Sequence, residues 1–303
     1  MKHIFKSILT IAIAACITSS ATAQVTVSGS TGANAIYSTL KAAFDTLNTK
    51  TNQTGNNILV SITANTTETA TASLLAASGG AWASLKITPV GNVTISGTIA
   101  AGAIIDLNGA DFVTIDGLND GINSLTISNL STASTSLTST IRFLADATNN
   151  IIKNATILGS ATVGVTTNGG SIYFGAGAIL TGSDNNIIRK CNIGPAGVNL
   201  PTKAIYANGS TTTTNVNNSN NIVDSCNIYD YFLPTAAHAG IYINTGNTDW
   251  SINNNKFYQT ATRTMTTGAL HAELTFKQLQ EITLLLITMW LDLQPIQAQE
   301  FIH

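Results

Sequence analysis

A short pattern of asparagine and isoleucine recurs along the middle of the chain at an almost constant interval. "NNIIKNATIL" begins at Asn149, "NNIIRKCNIG" at Asn185 and "NNIVDSCNIY" at Asn220. The second asparagines of the three copies are 36 and 35 residues apart. Self-similarity at a fixed period of this size is typical of solenoids, in which each unit buries its apolar side against its neighbours. The repeat therefore predicts a stacked array of similar turns.

Within each copy, the apolar residues are spaced as in short β-strands. Three positions are apolar in every copy: Ile152/Ile188/Val223, Ala155/Cys191/Cys226 and Ile157/Ile193/Ile228. Alternate side chains of a strand point to opposite faces, so Cys191 and Ile193 share a face and Asn192 takes the other. The polar pair between the apolar positions fits a bend. Short strands wound about a common interior form a parallel β-helix, with about 4.8 Å between turns. We therefore predict an all-β fold in which Asn192 stacks on Asn227, with Thr156 on the turn before.

The chain carries little charge. Only 9% of its 303 residues are charged, and the formal net charge is −2. This balance argues against a nucleic-acid partner, because such binding relies on clustered basic residues. Most of the remaining polarity comes from Asn, Thr, Ser and Gly, which favour turns and the solvent side of β-structure. We therefore expect a β-protein with a nearly neutral surface.

Residues 1–23 have the organisation of a secretory signal peptide. Lys2, His3 and Lys6 precede the apolar run "SILTIAIAAC", and the small residues "ATA" end at Ala23. The run is too short to span a bilayer, so we predict no transmembrane helix in the mature chain. "IAAC" offers an alternative, because it resembles the box in which a lipoprotein would be lipidated at Cys16. Both interpretations predict a secreted protein or one on the outer-membrane surface.

One segment near the amino terminus has helical periodicity. Tyr37, Leu40, Phe44 and Leu47 recur at helical spacing within residues 35–48. The first turn of a solenoid leaves backbone groups unpaired, and a short amphipathic helix could cover them. We therefore assign 24–100 to a cap with the first strands and 101–268 to the turns of the β-helix.

The composition changes after residue 268. "ELTFKQLQEITLLLITMWLDLQPIQAQEFIH" lacks the Asn and Gly of the repeats and is rich in Leu, Gln and Glu. One permitted codon choice, shifted by one base, reads "INIQATSGNNFTVNNNVVGFATNSSTGIY", which has the pattern of the turns. We therefore predict that 269–303 is an aberrant tail caused by a frameshift near Glu273. The alternative is a terminal helix that caps the last turn.

Several segments resemble a known superfamily. "IDLNGADFVTIDGLN", "STIRFLADATNNIIKNATILGS" and "DNNIIRKCNIGPAG" look like the amino-terminal part of large secreted surface proteins of Bacteroidetes. Those proteins are similar to the pectin-lyase-like superfamily, and the resemblance covers about residues 24–269. It implies a right-handed parallel β-helix and an extracellular partner such as surface polysaccharide. It implies no particular activity.

Acidic residues are the first candidates for chemistry. Enzymes of this superfamily place carboxylates, often with Ca²⁺, on neighbouring turns, because acid–base catalysis needs paired acids and cations need converging oxygens. The densest acidic group includes Asp106, Asp111 and Asp116, in a segment rich in Gly and Asn. We expect bend residues there, with a Ca²⁺ site as the alternative. His238, in "PTAAHAG", is expected in a loop with a solvated side chain. We predict no catalytic residue and no cofactor.

Aromatic residues and cysteines supply the remaining candidates. Tyr229, Tyr231 and Trp250 could stack on sugar rings, and packing inside the protein is the alternative. Cys191 and Cys226 could form a disulfide if their turns are adjacent. Their inward direction also fits free thiols that fill the core.

These observations favour an exported, non-catalytic β-helix that serves as a surface stalk, adhesin or glycan-contacting module. The alternative is a truncated polysaccharide lyase or glycoside hydrolase whose active residues lie in turns that this chain lacks.

Overall fold

The computed structural model describes residues 24–176, 181–277 and 288–291, and their regular secondary structure consists almost entirely of β-strands. The strands form three parallel faces of one solenoid, and each turn adds one strand to each face. Within the described residues, six turns contribute to every face, and the strands Ser251–Tyr258 and His271–Phe276 form one more. The prediction of an all-β parallel β-helix with a short amino-terminal helix is confirmed.

The bounds of the strands define the three faces. The first face contains β3 (Asn57–Ile62), β6 (Ser84–Pro89), β9 (Val113–Asp116), β12 (Ile151–Lys153), β15 (Ile187–Arg189), β19 (Ile222–Asp224) and the start of β23 (Ser251–Tyr258). The second face contains β4 (Thr66–Glu68), β7 (Asn92–Gly97), β10 (Ser124–Asn129), β13 (Thr156–Gly159), β16 (Asn192–Pro195), β20 (Asn227–Tyr229) and the end of β23. The third face contains β5 (Ala72–Leu75), β8 (Ile105–Asn108), β11 (Ser139–Leu144), β14 (Gly170–Gly175), β17 (Lys203–Asn208), β21 (His238–Ile243) and β24 (His271–Phe276).

Smaller elements complete the described chain. They are a 3₁₀-helix (Thr214–Val216), the paired strands β18 (Asn218–Ser219) and β22 (Asn247–Thr248), and β25 (Thr288–Leu291), which pairs with β23. β24 lies inside the predicted tail but pairs with β21 in parallel register, so the solenoid continues through Phe276. The frameshift stays a prediction that the nucleotide sequence would test. No helix among the described residues is long and apolar enough to cross a membrane.

The helix is shorter than the sequence pattern predicts. It spans α1 (Leu40–Asn48), whereas residues 35–37 form β2 (Ala35–Tyr37), antiparallel to β1 (Val25–Ser28). Thr39 is the N-cap of the helix. Its backbone is still extended, and its hydroxyl accepts a hydrogen bond from the N–H of Ala42. The Glu68 carboxylate accepts hydrogen bonds from the first two backbone N–H groups of the helix, those of Leu40 and Lys41. The predicted helix over 35–48 is therefore wrong for its first five residues.

The apolar columns predicted from the repeat lie inside the solenoid. Ile152, Ile188 and Val223 are in parallel register and fully buried. Large rings stack in the same manner, since Phe143 and Phe174 on adjacent turns lie 4.4 Å apart at 9°. Burial of such columns between turns supplies the main stabilisation of a solenoid.

The doubled asparagine of the repeat has two separate structural roles. Its first member adopts a left-handed backbone, with φ of 57° at Asn149 and 55° at Asn185, a conformation that Asn tolerates better than most residues. Its second member is buried and joins turns, because Asn150 donates to the side-chain oxygen of Asn186. The recurrence of the asparagine pair along the chain thus reflects one bend of the scaffold.

Candidate functional site

The outer surface of the second face carries a pair of stacked tyrosines. Tyr229 ends β20 and Tyr258 ends β23, and the two residues are in direct register. Their rings lie 5.5 Å apart at 13°, and both side chains remain partly exposed. Because the two rings lie on adjacent turns, they form one continuous aromatic surface that extends over both turns.

The neighbouring turn makes room for Tyr229. A Cβ atom on Gly194 would lie 2.3 Å from Cζ of Tyr229, so the ring lies directly over the glycine. One turn further, Leu158 is in register with Gly194 and is also partly exposed. The stacked tyrosines therefore continue into a strip of weakly polar surface, here called the tyrosine strip: Leu158, Gly194, Tyr229 and Tyr258.

A polar column runs beside the tyrosine strip on the same face. Its members are Thr126, Thr156, Asn192, Asn227 and Lys256, in register from turn to turn. The side-chain amide of Asn227 donates to the side-chain oxygen of Asn192 at 2.8 Å. The predicted stacking of Asn192 and Asn227 is confirmed. Lys256 is exposed and brings a single positive charge to this column.

Asp230 fixes the chain next to the tyrosine strip. Its backbone has a φ of 53°, and its carboxylate accepts from Arg263 at 2.7 Å and from the N–H of Thr260 at 2.8 Å. Burial, together with the charges of Tyr258 and Asp230, raises the pKa of Tyr229, and burial with Asp230 raises that of Tyr258. Both phenols therefore keep their protons at neutral pH and can donate hydrogen bonds.

Two of the three aromatic residues considered for glycan contact are buried, as the alternative of packing inside the protein expects. Tyr231 is 1% exposed and stacks on His271 at 5.7 Å. Trp250 is 5% exposed, donates to the Asn218 carbonyl at 3.2 Å and packs against Phe174. In a continuous strand, residues two apart share a face, but the left-handed Asp230 between Tyr229 and Tyr231 turns the chain inward. Only Tyr229 remains on the surface.

The predicted Ca²⁺ candidates do not converge. Asp106, on the third face, pairs with Arg142 at 2.6 Å. Asp116, on the first face, lies 3.2 Å from both Lys86 and Lys153.

Asp111 lies in the turn between β8 and β9, and its carboxylate accepts hydrogen bonds from the backbone N–H and the hydroxyl of Thr148. Within the part of the chain that the structure describes, no group of three or more His, Cys, Asp and Glu residues is arranged to hold a metal ion.

The two cysteines lie on neighbouring turns. The backbone N–H of Asn227, the residue after Cys226, donates to the carbonyl of Cys191, and both cysteine side chains are buried. Both are free thiols that fill the core, so the disulfide that the sequence also allowed is not formed in the structure. The neighbouring Cys191 thiol and burial raise the pKa of Cys226, which keeps it protonated and unreactive.

The predicted environment of His238 is wrong. His238 begins β21 and is fully buried, with its ring against His271, instead of lying in a loop with a solvated side chain. The reason is the register of the third face, which places His238 beside a residue of the segment predicted as aberrant tail.

Comparison with known proteins identifies no family. No family model and no curated protein matches the chain. Two solved structures are similar to it. An alginate lyase from Paenibacillus sp. str. FPU-7 is 17% identical, with a TM-score of 0.43 over 72% of this chain and 63% of that one. The ORF18 protein of Geobacillus virus E2 is 12% identical, with a TM-score of 0.36 over 87% of this chain and 59% of that one. The chain thus spans less than two thirds of either protein, and scores this low carry no argument about activity.

Proposed function

We propose that this chain is an exported, non-catalytic surface module that contacts glycans through the tyrosine strip of its second face. The observation that carries the proposal is the outward, parallel stack of Tyr229 and Tyr258. Pyranose rings have apolar C–H faces that pack on aromatic rings, and their hydroxyls need polar partners nearby.

The polar column beside the strip supplies such partners. Asn192 and Asn227 each offer an amide at the surface, and their mutual hydrogen bond holds them in a fixed orientation. Lys256 adds a donor at the end nearest Tyr258. Because the column is otherwise neutral, we expect a neutral or weakly acidic glycan.

The two aspartates of the candidate Ca²⁺ group that lie in strands are engaged in ion pairs. They are Asp106 and Asp116, the two most buried acids of that group. Acid–base cleavage of a glycosidic bond needs a pair of carboxyl groups free to exchange protons with substrate. Neither aspartate is arranged for that role.

The test is a binding titration of soluble oligosaccharides, including β-1,4-glucan, mannan and alginate fragments, by calorimetry. Tyr229→Ala and Tyr258→Ala should each weaken binding by at least about 5-fold, because an aromatic contact contributes about 1 kcal/mol. Phe112→Ala is the matched control, since Phe112 is 50% exposed and lies outside the second face. Equal losses in all three variants would contradict the proposal.

The alternative predicted from the sequence is a truncated polysaccharide lyase or glycoside hydrolase. It predicts that the wild-type chain shortens at least one of these oligosaccharides on incubation. The surface-module proposal predicts binding with no change in oligosaccharide length, measured by mass spectrometry of the same samples.

A further inference from the structure

Two histidines face each other at the end of the third face. His238 and His271 are the first residues of β21 and β24 and are in direct register. Nε2 of His238 lies 2.7 Å from Nδ1 of His271. At this distance one nitrogen must donate a proton and the other must accept it.

The remaining contacts determine which nitrogen donates. Nδ1 of His238 lies 3.0 Å from the carbonyl oxygen of Ala236, which can only accept, so Nδ1 carries hydrogen. A neutral His238 therefore has a bare Nε2, and His271 donates to it. Nε2 of His271 lies 3.5 Å from the Glu273 carboxylate. The contact between the two rings thus has room for one hydrogen, which His271 supplies.

A second proton does not fit this arrangement. It would have to enter at Nε2 of His238, where it would meet the N–H of His271. The titratable groups that face the pair are Glu273 and Tyr231, whose ring stacks on His271 at 3°. Glu273 can balance one positive charge, and a protonated tyrosine balances none.

Burial makes protonation of both histidines still less favourable. His238 is fully buried, and the edge of the Phe232 ring packs against it at 4.7 Å. Burial first, and then the charge of His271, lower the pKa of His238. His271 in turn lowers the pKa of Glu273.

Within the described residues, β24 is the last strand of the third face and pairs with β21 on one side. Its attachment can therefore change without breaking the turns before it.

We propose that His238 and His271 form an acid-sensitive lock, which holds β24 on β21 and releases it when both imidazoles are protonated. The released strand binds more protons than the attached strand, because burial and the contact with His271 lower the pKa of His238 in the attached state. Attachment therefore weakens as pH falls through the ordinary histidine range and below it. This inference does not depend on glycan binding.

The test is amide hydrogen exchange of the full chain at about pH 7.5 and about pH 5, corrected for the intrinsic pH dependence of exchange. Protection of 272–276 should fall about 10-fold or more at the lower pH. The internal control is β14, three turns away on the same face, whose protection should not change. Equal protection of β24 at both pH values would overturn the proposal.

A variant separates the lock from general acid sensitivity. His238→Gln offers an oxygen to Nδ1 of His271 but cannot be protonated, so protection of β24 should become independent of pH. A loss equal to that of the wild type would overturn the proposal. If this variant does not fold, nuclear magnetic resonance titration of the wild-type imidazoles decides instead. One histidine should then titrate well below its ordinary pKa, and two ordinary titrations would contradict the lock.

Discussion

The side-chain oxygen of Asn186 accepts two hydrogen bonds from Asn150 on the preceding turn, one from the backbone N–H and one from the side-chain amide, each 3.0 Å long. Asn221 accepts the same pair from Asn186, at 2.9 and 3.1 Å. All three residues are fully buried. Successive turns of the solenoid are therefore joined by a chain of amides inside the bend as well as by the strands.

Replacing a central member of this chain should be costly. Asn186→Ala leaves two buried donors of Asn150 without their partner, and buried donors without partners are strongly unfavourable. We expect the free energy of unfolding to fall by about 2–4 kcal/mol, measured by urea denaturation. Asn185→Gly is the control, because Asn185 is exposed with a φ of 55°, which glycine adopts without strain. It should change stability by less than about 1 kcal/mol. Similar losses in both variants would exclude the proposed role of the amide chain.

The sequence was sufficient to predict the stacking of turns, because the columns depend on a spacing that is visible as a repeat. It was not sufficient to predict which side chains are accessible. Tyr229 and Tyr231 are two residues apart, as if they shared a strand face, yet Asp230 has a left-handed backbone and only Tyr229 is at the surface. The partner Tyr258 was missed, although its register with Tyr229 follows from aligning "TDWSINNNKFY" with the repeats.

The ion pair on the third face provides a second prediction. Arg142 and Asp106 are in register on adjacent turns, and their side chains are only 9% and 5% exposed. Arg142→Met leaves a buried carboxylate without its counter-charge, so we expect a loss of about 3–5 kcal/mol at neutral pH. The double variant Asp106→Leu/Arg142→Met removes both charges and should recover most of that loss. If the double variant is less stable than Arg142→Met in urea denaturation, the ion pair is not the cause.

Burial of this pair also explains a failure of the sequence-based interpretation. Asp106 was considered as a bend residue or a Ca²⁺ ligand because its neighbours include Gly and Asn. Its partner is 36 residues away, one turn along the chain, and nothing in the local pattern marks it. Burial raises the pKa of Asp106 more than Arg142 lowers it, as expected for a structural pair in a dry position.

Lys203 should make stability depend on pH. Its Nζ contacts the carbonyl oxygens of Gly164, Val165 and Thr167, and it lies 3.7 Å from the centre of the Tyr206 ring. Burial lowers the pKa of this amine from 10.5 to about 7.

The native state therefore binds fewer protons than the unfolded chain between about pH 7 and the ordinary lysine pKa. In this window the contribution of Lys203 to the free energy of unfolding rises with pH. We expect wild type to gain stability relative to Lys203→Met from about pH 7 to about pH 9, measured by urea denaturation at each pH. A difference that stays constant or shrinks would contradict the lowered pKa.

Glycan contact at the tyrosine strip is tested most directly by a substitution that moves the Tyr229 ring without removing it. Gly194→Ala places a methyl group where the ring lies, at 2.3 Å from Cζ, and should displace it from the stack with Tyr258. Gly268→Ala is the control, because a Cβ there would meet no atom within 4 Å. The decisive measurement is the oligosaccharide dissociation constant of these two variants and the wild type. We predict a loss of about 5-fold or more for Gly194→Ala and unchanged binding for Gly268→Ala. Wild-type affinity in Gly194→Ala, or no binding by the wild type, would contradict the account.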